Sequence, residues 1–442
     1  MNEQIYKNEI NFKNILISVI PTMLMVLIQA SYSMIDGIFI SNIIGDNALS
    51  ALTLISPLFN FFIALGAMFA SGGNAIVMKK IGEKREKEAK EDFSMLILTT
   101  VILGIIITSF ILIFYNNIVN MLGANEIVTL YSSEYLFAYS FFIIPQLLFA
   151  SLQIYTLASG KSKLAMFSAI LGGVFNIVFD FLLIKIFNFG MFGASVASGL
   201  GILIPCVILL KGFLGKTQYI HFVLPKFRLN TLTKTMSNGV SEFATNFVSG
   251  IVMLLFNARM LHYAGENGIS ASTITFYVFG FMSALYTGYM FGISPMLSYF
   301  YGSKENDKLK KIKNISLKFI IFISIFSTVC SILFSKQLVN IFTNESSKVF
   351  ELALNGNKLF SIALLFVGIN TFSSMLFTSL SNGKISAIIS FSRTFIFLIL
   401  TIILLPILLG INGLWLSVPV SEILTLIVSI YFIKKYRKKY GY

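Results

Sequence analysis

The sequence predicts an all-α, polytopic membrane protein of twelve transmembrane helices in two six-helix bundles, related by a pseudo-two-fold axis along the membrane normal. Three observations carry this. Of 442 residues, 56% are hydrophobic and only 12% charged, against roughly 25% charged in soluble chains. Apolar stretches long enough to cross a bilayer recur twelve times along the chain. The second half also repeats the first at a fixed offset of 220 residues.

The predicted spans are 15–40, 49–78, 93–115, 135–158, 164–187, 194–214, 238–262, 269–300, 315–335, 359–380, 385–409 and 414–433. The second and eighth exceed a perpendicular crossing, which implies tilt. Connections are short, so no soluble domain is expected. Placing the amino terminus inside puts 27 of the 33 Lys and Arg residues on the cytoplasmic side, with 5 outside and Arg393 within a span. Cationic loops stay cytoplasmic, so both termini are expected there, in a multi-pass plasma-membrane protein. The net charge of +14 then follows from topology and anionic lipid head groups, and no nucleic-acid partner is implied.

Sliding the chain by 220 residues aligns Gly45–Lys84 with Gly265–Lys304 without a gap, matching 12 of 40 positions. The same offset pairs Gly190 with Gly410 and Gly193 with Gly413. The predicted domains are therefore an amino-terminal lobe (1–214), a cytoplasmic linker (215–234) and a carboxy-terminal lobe with a basic tail (235–442). Six spans is an even number, so both halves enter from one side, and a cleft between two such bundles suits alternating access.

Several chemistries are excluded. Two histidines, His221 and His262, cannot build a His-based metal cluster, and Cys206 and Cys330 lie in apolar runs as small hydrophobes. Gly215-Lys216-Thr217 resembles the end of a P-loop, but Leu210 stands where the pattern needs glycine. No catalytic motif and no cofactor is predicted, and the protein is not expected to be an enzyme.

The polar residues inside the spans point instead to ion chemistry. Asp36 is the one charged residue between Asn14 and Ser41, and an acid at such depth is a functional hypothesis by default; the plain alternative is a helix cap beside Gly37. Asn176 and Asp180 lie four apart, on one face of span five, with Asp180 roughly 24 Å from the start of that span at ~1.5 Å per residue. Ser195 and Ser198 enter early in span six, at matching depth. Two carboxylates, an amide and a hydroxyl suit a hard cation or a shared proton, the alternative being a packing cluster. In the second half the counterparts of Asp36 and Asp180 are apolar, Phe256 among them. There, Arg393 in span eleven and Glu422 in span twelve are expected to neutralise each other as a structural pair. Glu242 is expected near the cytoplasmic start of span seven, as a solvated acid or a contact for a cationic substrate.

The motifs Ile35-Asp36-Gly-Ile-Phe-Ile-Ser41, Gly45-x-x-Ala-Leu-Ser-Ala51, Lys80-Ile-Gly-Glu83, Asn176-Ile-Val-Phe-Asp180 and Gly193-Ala-Ser-x-Ala-Ser198 resemble multidrug and toxic compound extrusion (MATE) transporters. Ser237-Asn-Gly-Val-Ser-Glu-Phe243 and the stretch from Gly413 to Glu422 resemble the MepA-like branch in particular. The resemblance spans nearly the whole chain. It implies antiport of amphipathic, often cationic small molecules against H⁺ or Na⁺, by a monomer embedded in membrane lipid. It also implies a coupling site at Asp36, Asn176, Asp180 and Ser198, with no other metal. Gln29, Tyr32, Glu242, Arg393 and Glu422 are candidates for substrate contact or gating. A lipid-linked saccharide flippase of the same superfamily is the alternative, which would favour a strongly basic cavity; an intramembrane enzyme using Asp36 and Asp180 is a third reading.

Overall fold

The computed structural model describes residues 9–122, 126–215 and 220–442; the side chains at 33–39, 41, 42, 46 and 49 also lie outside the description. Every regular element among the described residues is helical. The helices of the first half are α1 (Phe12–Ile43), α2 (Asp46–Gly82), α3 (Glu86–Met121), α4 (Glu126–Ser140), α5 (Ile143–Ala158), α6 (Ser162–Asp180) and α7 (Gly190–Lys211). The second half holds α8 (Leu229–Gly302), α9 (Asn306–Leu333), α10 (Ser335–Asn340), α11 (Lys348–Phe360), α12 (Leu364–Ser379), α13 (Gly383–Phe391), α14 (Leu398–Leu409) and α15 (Ile411–Tyr440).

Among the described residues, twelve crossings follow once the joints are considered. The 74 residues of α8 would extend about 111 Å at ~1.5 Å per residue, far beyond a bilayer core of ~30 Å. Gly265, at φ 62° and ψ −154°, breaks it into two spans. Conversely, α4 and α5, bent by 57°, form one broken span. A 3₁₀ turn, Ser361–Ala363, joins α11 to α12, and a π turn, Ser392–Phe397, joins α13 to α14. Apolar side chains such as Phe110, Ile113, Phe322 and Ile407 stand exposed on the outer surface, where acyl chains rather than water would meet them.

The repeat is visible in the backbone itself. Left-handed φ values occur in pairs 220 residues apart: Gly45 (113°) with Gly265 (62°), Lys84 (61°) with Lys304 (59°), and Gly190 (53°) with Gly410 (57°). Four of these six are glycine, which adopts such angles without a Cβ clash. The two lobes meet along α2 and the first part of α8, and along α1 and its second part. Glycines permit the close approach: a Cβ on Gly292 would stand 2.8 Å from Val19, and one on Gly288 2.5 Å from the Cα of Met23. At the basic end of the bundle, where the loops at 83–85 and 303–305 and the last turns of α15 lie, Gly82 packs on Tyr299 and Gly302 on Lys79, so tightly that a Cβ on either would fall far inside 3.0 Å of a carbonyl oxygen. Lys79 and Tyr299 are themselves 220 apart, so this crossing sits astride the pseudo-two-fold axis. The segment 215–234 enters α8 at Leu229, with Arg228 in the N-cap position.

Candidate functional site

The amino-terminal polar group gathers where α1, α6 and α7 meet. Gly173 of α6 faces the ring of Tyr32 on α1, where an added Cβ would stand 3.0 Å away. One turn further along α6, Asn176 faces Gly201 of α7, with the Asn176 Cβ 2.9 Å from where a Gly201 Cβ would be. These two contacts bring α1, α6 and α7 close together around Asn176. Asn176 is 3% exposed and Asp180 fully buried. Asn176 Oδ1 has no hydrogen-bond partner among the described residues. On α7, Ser198 Oγ accepts a bond from the Tyr135 hydroxyl at 3.3 Å, and Ser195 Oγ donates to the Tyr135 carbonyl at 2.8 Å, which brings in a span the sequence reading left out. Gln29 and Tyr32 are half-buried on α1. Asp36 follows Tyr32 by one turn of the same helix, but its side chain lies outside the described residues.

Asp180 occupies the last α-helical position before a π turn, Phe181–Ile186. Arg393 lies inside a π turn of the other lobe, Ser392–Phe397, which falls earlier in its span than the first does. Such turns widen the helix and recur at functional positions.

In the carboxy-terminal lobe, Arg393 Nε donates to Glu422 Oε1 at 2.6 Å, and Arg393 Nη1 donates to Thr371 Oγ1 at 3.0 Å. Asn370 Nδ2 donates to Glu422 Oε2 at 2.7 Å, and Ser429 Oγ donates to Asn370 Oδ1 at 2.9 Å. Both carboxylate oxygens are thus bonded, as a buried charge requires. Asn370 and Thr371 were not foreseen, although a polar pair inside an apolar span was the signal available. The pair borders a cavity of about 390 Å³ that also includes Asn60, Met253, Phe276 and Phe279. Glu242 lies 13 residues along α8, about 20 Å from Leu229 at ~1.5 Å per residue, and is half-buried.

Among the described residues no cluster of three or more His, Cys, Asp or Glu side chains could hold a metal ion. What remains is a two-lobe bundle of membrane-crossing helices with buried polar groups in each lobe, the construction of a small-molecule transporter. The MatE family profile matches residues 21–182 and 240–403, more than half of the chain, and the chain belongs to that family. It is 25% identical over 424 residues to the multidrug export protein MepA of Staphylococcus saprophyticus, covering 94% of this chain and 90% of that protein. With MepA of Staphylococcus aureus strain NCTC 8325 the identity is 24% over 429 residues, 95% of this chain and 93% of the relative. Its fold is similar to a MATE crystal structure in complex with MaL6 (TM-score 0.93, 21% identity, 99% of both chains). It is also similar to a MATE transporter of the MOP superfamily in an outward-facing conformation (TM-score 0.92, 20% identity, 99% of this chain and 98% of that one). A third similar structure is a MOP superfamily transporter from Pyrococcus furiosus described as having a binding pocket of reversed polarity (TM-score 0.91, 21% identity, 100% and 99%).

Proposed function

We propose that this protein is a secondary active antiporter that exports amphipathic, often cationic compounds in exchange for H⁺ or Na⁺ by alternating access. The observation that carries this reading is the burial of Asn176 and Asp180 on one face of α6, at its junction with α1 and α7. A carboxylate removed from water favours its protonated form, whereas a bound cation favours the ionised one. Asp180 with Asp36, Asn176 and Ser198 is therefore a group whose charge changes when an ion arrives. Altered bonding at Gln29, Tyr32 and Asn176 would then bend α1, which contains Pro21 and so already lacks one backbone hydrogen bond. Drug and ion would weaken each other's binding, because coupling between two states is reciprocal. The basic end faces the cytoplasm in this reading, since its Lys and Arg residues resist translocation. Membrane lipid surrounds a monomer with both termini on that side. Arg393 is paired with Glu422, so the carboxy-terminal cavity lacks the strongly basic lining that a flippase for lipid-linked saccharides would favour.

Dye efflux in inverted membrane vesicles, driven by a pH step or by a Na⁺ gradient, tests the proposal. Wild type should respond to one of the two gradients. Asp180→Asn, which keeps hydrogen bonding but not the titratable charge, should lose gradient-driven efflux at unchanged expression. Full coupled efflux by Asp180→Asn would refute the assignment.

A further inference from the structure

At the basic end, one acid outside the site described above joins the first lobe to the start of α8, the helix that leads into the second. Asp92, on α3, is fully buried. Its Oδ1 accepts from Arg228 Nη1 at 2.7 Å, and its Oδ2 accepts from Thr231 Oγ1 at 3.4 Å and from Lys80 Nζ. Lys80 and Asp92 belong to the first lobe, while Arg228 caps α8 and Thr231 lies in its first turn. Arg228 also pairs with Glu91. The second half has no copy of this arrangement, since the positions 220 beyond Lys80 and Asp92 are Phe300 and Ile312.

We propose that Asp92 is the pin of a latch that holds the two lobes together at the basic end, and that this end opens by breaking the bonds of Asp92 to Arg228 and Thr231. The proposal rests on the alternating-access reading above. Three features suit a contact made and broken in each cycle. Lys80 remains beside Asp92 within its own lobe, so losing Arg228 does not strand a buried charge. A cavity of about 600 Å³ lined by Lys80, Glu88, Arg228 and Thr231 gives water a route to the exposed partners. The adjoining seam also holds polar atoms that a permanent interface would pair. Tyr155 Oη and Thr235 Oγ1 are buried with no hydrogen-bond partner among the described residues. Both lie against Gly73, where an added Cβ would stand 2.6 Å from Tyr155 Oη and 3.7 Å from Thr235 Cγ2. Opening would expose these hydroxyls to partners that the closed seam does not supply, so latch and seam pull in opposite directions.

The experiment places spin labels at Lys87→Cys and Lys310→Cys, both exposed at the basic end, in a Cys206→Ala/Cys330→Ala background in lipid nanodiscs. Distances are recorded with and without tetraphenylphosphonium, across a pH step and across Na⁺ concentration. A second pair, Ile127→Cys and Lys348→Cys, reports the opposite end. Wild type should show two populations that exchange between the pairs; a single invariant distance at both would sink alternating access itself, whatever Asp92 does. Given two populations, Asp92→Asn and Arg228→Gln should each enrich the open basic end about tenfold, the scale of one charged hydrogen bond. Tyr155→Phe and Thr235→Val should shift the balance the other way. Arg228 is part-exposed, so Arg228→Gln carries the test should Asp92→Asn not fold. The latch is overturned by wild-type populations in the charge variants, or by hydroxyl variants that move in the same direction as them.

Discussion

Gly302→Ala should force the two lobes apart at the basic end of the bundle. Gly302 ends α8 beside Lys79 of α2, and its repeat partner Gly82 ends α2 beside Tyr299 of α8. A Cβ at either position would fall far inside 3.0 Å of the facing carbonyl oxygen, a separation real Cβ atoms essentially never breach. The obstacle is backbone, so no rotamer change relieves it; the two helices must separate by about 1 Å, at an overpacking cost of ~1–3 kcal/mol. That cost corresponds to roughly a 5- to 150-fold loss in the population of the closed crossing. Gly280→Ala is the control, because no atom lies within 4 Å of its Cβ position and its effect should stay within about 0.5 kcal/mol. Thermal unfolding midpoints in nanodiscs, together with the label distance at the basic end, provide the readout. Gly82→Ala should match Gly302→Ala, since the two contacts are equivalent by the repeat. A wild-type midpoint and distance in Gly302→Ala, or an equal loss in Gly280→Ala, would refute the packing argument.

Other outcomes are expected. Arg393→Met leaves Glu422 with Asn370 as its remaining side-chain donor and should cost ~3–5 kcal/mol, whereas Arg393→Met/Glu422→Leu should recover most of that loss; purified yield and unfolding midpoint measure both, and a double variant no better than the single would argue against a buried pair. Ser303→Cys should react with an impermeant maleimide only after permeabilisation, and labelling in intact cells would invert the topology. Equilibrium binding of an amphipathic cation to purified protein should weaken as H⁺ or Na⁺ rises, and Asp36→Asn should flatten that dependence; an unaltered dependence would remove Asp36 from the coupling site.

Hydropathy and residue spacing determined the number of crossings, the two-fold repeat and the side of the bundle on which the cations collect. These are local, additive properties, since each residue contributes its own transfer cost and each helix its own 3.6-residue period. The same local logic singled out Asn176 and Asp180 as neighbours on one face and Arg393 and Glu422 as a pair. The start of an apolar run is not the start of a helix, however: α8 begins in the polar segment Leu229–Lys234, before the hydropathy rises. The same reading did not single out Asp92, which falls between the predicted spans 49–78 and 93–115. Burial of Asp92 depends on Arg228, more than a hundred residues away in the chain, and on glycines that let α2 and α8 approach. The π turns at Asp180 and Arg393, the bond of Tyr135 to Ser198 and the cavity beside Arg393 are likewise products of helices packed against one another. Which faces meet is decided by non-local sterics, and so the tertiary structure alone could set those contacts.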